Sequence, residues 1–156
     1  MVESFETTVP TGANPPYVGI TQSTAAGVTD GTYSMLVDID NSMTSSWIAM
    51  NYGASTYTDW KNHTKIRFDL HRPALDHGWN LEVNLGLNAE GATWTQTQLV
   101  NWLWLNANTG TSETLEFDYS AMRAAAPATG NWWQLNLMFR TANGGQVYVD
   151  DVKFVT

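Results

Sequence analysis

Residues 131–140 read "NWWQLNLMFR", and their alternation decides the fold class. Trp133, Leu135, Leu137 and Phe139 fall on one parity, while Trp132, Gln134, Asn136, Met138 and Arg140 fall on the other. A period of two with one apolar face is the pattern of a half-buried β-strand. "TANGGQ" follows at 141–146, then a second alternating run to 155. Asn-Gly between two such runs is a strong hairpin signal, so the last two strands are expected to be antiparallel neighbours. The rest of the chain breaks up in the same way. Strands are expected near 2–7, 17–22, 32–39, 46–52, 64–71, 79–88, 97–106, 113–118, 131–141 and 146–155, bounded by Gly, Asn, Asp and Pro. The one helical turn expected is "SAMRAAA" at 120–126, ended by Pro127. Ten short strands bury one face each most economically in two packed antiparallel sheets, so the chain is expected to be all-β, a β-sandwich jelly roll. Residues 1–156 suit one domain, with no internal repeat or linker.

Composition narrows the partners. Seven basic against fifteen acidic residues give a net charge of −8, which disfavours nucleic acid and anionic membrane surfaces. The absence of cysteine removes disulfides, thiolate metal sites and a cysteine nucleophile. His63, His71 and His77 match no zinc spacing. No apolar run approaches the roughly 20 residues that span a bilayer. "MVESFE" at the start carries neither a basic nor an apolar leader, so the chain reads as a mature module. Only 14% of residues are charged, whereas Trp occurs eight times among abundant Thr, Asn, Ser and Gly. That character belongs to extracellular domains that handle neutral polar polymers, and secretion is expected from it.

Parity sorts the faces of the other strands. In "KIRFDLH", Ile66, Phe68 and Leu70 oppose Arg67, Asp69 and His71. In "WNLEVNLGLN", Leu81, Val83, Leu85 and Leu87 oppose Asn80, Glu82 and Asn84. In "NWLWLN" at 101–106, Leu103 and Leu105 oppose Trp102 and Trp104. The outward set is therefore rich in planar amides, carboxylates, guanidinium groups and indoles. Such groups pair with vicinal hydroxyls and stack on the C–H face of a sugar ring. The plainer alternatives are that a loop covers an outward Trp, and that Arg67 and Asp69 form a surface ion pair worth about 0.5 kcal/mol. Trp47, Trp79 and Trp133 are expected in the core.

"SFE" at 4–6, "VTDGTYSMLVDI" at 28–39 and "VYVDDVKF" at 147–154 together resemble the β-jelly-roll carbohydrate-binding modules of the galactose-binding-like type, such as families four, nine and twenty-two. The resemblance frames both ends and the third strand. It implies a structural calcium held by Glu6, by the loop from Asp30 to Thr32 through backbone carbonyls, and by Asp150, with Asp151 as the alternative. A hard cation wanting six to eight oxygens fits such a set. The resemblance also implies a sugar site on the concave sheet, which matches the outer face that parity finds, and the site is expected to be drawn from Trp102, Trp104, Trp132, Arg67, Asp69, His71, Glu82, Asn84, Gln134, Asn136 and Arg140. "TTVPTGANPPYVG" at 7–19 departs from the pattern that usually follows the first strand, so no relative's ligand carries over.

Three functions are compatible with the sequence. The first is non-catalytic binding of a neutral polysaccharide or oligosaccharide, a β-glucan, xylan or galactan, that targets a covalently linked glycoside hydrolase domain. A second is a small jelly-roll glycosidase or lyase using Asp69 and Glu82. The third is a structural or adhesive surface domain.

Overall fold

A computed structural model of the protein describes residues 5–10, 13–14, 18–40, 46–73, 79–105, 111–140 and 144–156, apart from the side chains at 13, 14, 46, 79, 80, 97–105 and 111. Among the described residues ten strands run in chain order as β1 (Ala13–Asn14), β2 (Val18–Ser23), β3 (Ser34–Ile39), β4 (Ser46–Gly53), β5 (Lys65–Arg72), β6 (Trp79–Ala89), β7 (Thr95–Leu105), β8 (Thr111–Asp118), β9 (Trp132–Arg140) and β10 (Gly145–Val155). The described residues also hold two helices, α1 (Ala54–Asn62) after β4 and α2 (Ser120–Ala125) after β8. The strands form two five-stranded sheets, β1-β4-β9-β6-β7 and β2-β3-β10-β5-β8, with every pairing antiparallel. This is the expected all-β sandwich.

The inward faces are those that parity predicts. Leu81, Val83, Leu85, Leu87, Trp133, Leu135, Leu137 and Phe139 of the first sheet are buried, and so are Ile66, Phe68 and Leu70 of the second. All belong to one continuous core with Met35, Val37, Val147 and Val149. Trp133 stacks on Tyr52 with ring centroids 4.1 Å apart.

The pairing of the last two strands differs from expectation. β9 lies between β4 and β6, and β10 lies between β3 and β5 in the other sheet. Each is the middle strand of its sheet, so neither has a free edge to offer the other. Residues 141–143, with the Asn of the Asn-Gly signal, lie outside the described residues; Gly144 has φ +71°, and the strands on either side of the signal belong to different sheets. At the amino end, Phe5–Thr7 is irregular, with Phe5 at φ +59°, and the remainder of that expected strand lies outside the described residues.

Helix α1 is the element that the sequence pattern did not suggest. Its buried residues, Tyr57 and Trp60, are three apart, the spacing of one helix face. Trp60 is 0% exposed and its carbonyl accepts the Tyr119 hydroxyl at 2.7 Å. Lys61 Nζ donates to the carbonyls of Arg123 and Ala126 at the end of α2, so the two helices lock together. Burial, with the nearby Arg123 charge, lowers the Lys61 pKa.

Candidate functional site

The outward face of the first sheet can be assembled row by row from strand register. β9 is its axis. Arg140 stands opposite Glu82, Met138 between Trp47 and Asn84, Asn136 between Ala49 and Gly86, Gln134 between Asn51 and Asn88, and Trp132 opposite Gly53. Directly opposed residues in antiparallel strands share a face, so all of these groups point away from the core.

Trp94, in the turn between β6 and β7, folds its indole over this face. A Cβ built on Gly86 would lie 2.3 Å from Cη2 and Cζ2 of Trp94, so the ring rests directly on the glycine. Its Nε1–H donates to Gln96 Oε1 at 3.1 Å, and it meets Trp47 edge to face, with centroids 5.4 Å apart and planes at 85°. Trp47 comes from β4 and Gly86 from β6, on either side of β9. Neighbouring strands lie about 4.8 Å apart, so two rings this close must meet above β9. That explains why Asn136 and Met138 are only 4% and 5% exposed although they point outward. The two indoles form a ridge across the middle of the face. Trp47, expected in the core, is half-buried on this ridge instead.

Beside the ridge runs a row of amides. Asn136 Nδ2 donates to Gln134 Oε1 at 2.9 Å, and Gln134 Nε2 donates to Asn51 Oδ1 at 2.6 Å. Asn88 completes the row across three strands. Trp132, 42% exposed, bounds its far side, and a Cβ at the opposing Gly53 would meet nothing within 4 Å. Trp94, at 39%, and Trp132 are the exposed large hydrophobic residues among those described, and both lie on this face. On the other side of the ridge, Glu82 pairs with Arg140 and accepts Asn84 Nδ2–H at 2.9 Å. Both oxygens of Glu82 are thus engaged.

Of the eleven residues expected in a sugar site, Trp132, Glu82, Asn84, Gln134, Asn136 and Arg140 share this face. Arg67, Asp69 and His71 do not join them: β5 belongs to the second sheet, so they point out of the opposite side of the sandwich. There Asp69 Oδ1 accepts from Thr114 Oγ1 at 2.6 Å, and His71 Nδ1 lies 2.8 Å from Ser112 Oγ. Sheets pack about 10 Å apart, so Asp69 and Glu82, on opposite outer faces, exceed the roughly 5–9.5 Å separation of a glycosidase pair. Trp102 and Trp104 lie on β7, where Trp102 stands opposite Leu81 in register and Asn101 opposite Glu82. The side chains of both tryptophans lie outside the described residues, as do Trp79's side chain and His77.

Glu6 and Asp150, two of the residues expected around calcium, both meet the 29–33 loop, through its backbone N–H groups. Glu6 Oε1 accepts the N–H groups of Thr32 and Tyr33, each at 2.8 Å. Asp150 Oδ2 accepts those of Thr29, at 2.7 Å, and Asp30, at 2.8 Å. Gly31, at φ +76°, lets the loop pass the Glu6 carboxylate, which lies 2.5 Å from where a Cβ would sit. Asp150 is 0% exposed, and its Oδ1 has no hydrogen-bond partner among the described residues. Asp151, at φ +48° where the β10 register shifts, pairs with Lys153 instead. No cluster of three His, Cys, Asp or Glu side chains is present among the described residues, so a cation here would draw on backbone carbonyls as well.

No protein-family model and no curated protein matches the chain. Solved structures do. TmCBM61 in complex with β-1,4-galactotriose superposes with TM-score 0.56 at 14% identity, over 96% of this chain and 91% of that one. The family 11 carbohydrate-binding module from Clostridium thermocellum, in complex with a β-1,3-1,4-mixed-linked tetrasaccharide, gives 0.56 at 16% identity, over 99% and 94%. The CBM22-1 xylan-binding domain from Paenibacillus barcinonensis Xyn10C gives 0.53 at 12% identity, over 98% and 92%. The fold is that of β-sandwich carbohydrate-binding modules.

Proposed function

We propose that the protein is a non-catalytic module that binds a neutral polysaccharide on the outer face of the β1-β4-β9-β6-β7 sheet. The observation that carries this reading is the coincidence of the two indoles exposed among the described residues with an uncharged amide row on one sheet face. An indole face held rigid by Gly86, Trp47 and Gln96 stacks on the C–H face of a sugar ring at little entropic cost. Amides alongside donate to and accept from ring hydroxyls together. The structural likeness to modules that bind galactotriose, a mixed-linked tetrasaccharide and xylan supports the same reading. β-Glucan, xylan and galactan chains are the candidate ligands. Secretion and covalent linkage to a glycoside hydrolase would suit this role, since tethering raises the enzyme's effective concentration at its substrate. Among the described residues no helix is long and apolar enough to cross a membrane.

Calcium is proposed as a structural cofactor. The fit rests on Asp150 Oδ1, a buried carboxylate oxygen with no hydrogen-bond partner among the described residues, an arrangement that costs stability unless a cation compensates it. Glu6, Asp150 and carbonyls of the Asp30–Thr32 loop would hold the ion, which would tie the amino-terminal segment to β10.

Affinity gels cast with β-glucan, xylan or galactan test the binding reading. Retardation on at least one is expected, with no release of reducing sugar. Absence of retardation on all of them would favour an adhesive or structural domain, and reducing-sugar release abolished by Glu82→Gln would favour an enzyme.

A further inference from the structure

The outer edge of the first sheet carries a feature that the ridge and amide row do not use. β1 pairs with β4 at Ile48 and Trp47, and among the described residues no strand continues that pairing along 49–53. Thr8, Val9 and Pro10 stand off from this edge. Between them and Ala49–Tyr52 lies a depression of about 330 Å³, a volume in the range of small-ligand sites.

Resting on the reading of this face as a polysaccharide site, we propose that the depression is a further subsite, taking the next uncharged ring of the same chain. Two observations argue for that occupant. The depression is continuous with the amide row, because Asn51 lines it and also accepts the Gln134 hydrogen bond. A chain crossing β6, β9 and β4 over Asn88, Gln134 and Asn51 would therefore leave the sheet at this point. Among the described residues the lining also carries no carboxylate or cationic group. Val9, Pro10 and Tyr52 offer apolar contact, and the side chains of Thr8 and Asn51 offer donors and acceptors. An anionic ring would be desolvated there with no cation to meet it, so the subsite selects neutral sugars.

The amide row crosses three strands over about 10 Å, room for about two rings. Titration calorimetry with an oligosaccharide length series from the retarding polysaccharide should show affinity rising about tenfold with the ring that reaches the depression. Thr8→Trp, a change at an exposed rim position, should remove that increment while the shorter ligands bind within about twofold of wild type. Backbone amide resonances of residues 49–52 should shift with the longer ligand and not with the shorter. An increment that survives Thr8→Trp, or amides at 49–52 that stay silent, would overturn the subsite and leave the binding face intact. Failure of the wild type to bind any saccharide would overturn both.

Discussion

Gly86 and Trp94 show how much of the site depends on one missing methyl group. The indole lies flat because β6 offers it no Cβ, and its contacts with Gln96 and Trp47 then fix its orientation. Gly86→Ala would lift the ring without removing any polar group. Saccharide affinity should fall about tenfold, while stability, read by thermal unfolding, should change by no more than about 1 kcal/mol. Unchanged affinity would mean that the ring's seat is irrelevant to binding. Trp133 should behave oppositely. It is 1% exposed and packed on Tyr52, so Trp133→Ala should cost about 3–5 kcal/mol in denaturant unfolding.

At the scale of elements, what the sequence conveyed and what it hid have separate physical causes. Burial parity along β5, β6 and β9 was legible because one face of each strand must enter the core, whatever its neighbours are. The partition of those strands between sheets was not, because parity is a property of a single strand and pairing is not. Arg67, Asp69 and His71 therefore looked like companions of Glu82 and Gln134 although a core separates them. Parity in β7 is also broken by two register shifts against β6, so a count made within 97–106 alone does not fix a shared face with Glu82. Trp94 escaped because it precedes its strand and reaches the face from a turn; the available signal was Gly86, a glycine in an otherwise regular strand. Helix α2 was legible from its composition and Pro127. Asp118 Oδ1 accepts the Ser120 N–H at 2.8 Å, and this hydrogen bond is the first cause holding its carboxyl below the ordinary range. A depressed folded pKa means that the stabilisation is present at neutral pH and is lost as pH falls through that value. Asp118→Ala should therefore lower the melting temperature at pH 7, with the gap to wild type closing in strong acid. A gap independent of pH would contradict the assigned cause.

For the whole molecule, two structural demands meet in one sandwich. One sheet face carries indoles and amides, while Asp150 of the other sheet and Glu6 of the amino-terminal segment both hold the 29–33 loop. If calcium sits there, removing it with a chelator should lower the melting temperature. Saturation at one hundred times the dissociation constant stabilises by about 2.7 kcal/mol. Asp150→Asn should abolish the chelator's effect. A melting temperature indifferent to chelator would exclude calcium from this role. Sugar binding is the larger claim, and titration calorimetry of wild type and Trp94→Ala against the retarding polysaccharide tests it most directly. The expected result is affinity weakened at least tenfold in a variant that still unfolds cooperatively; equal affinity for the two proteins would contradict the account.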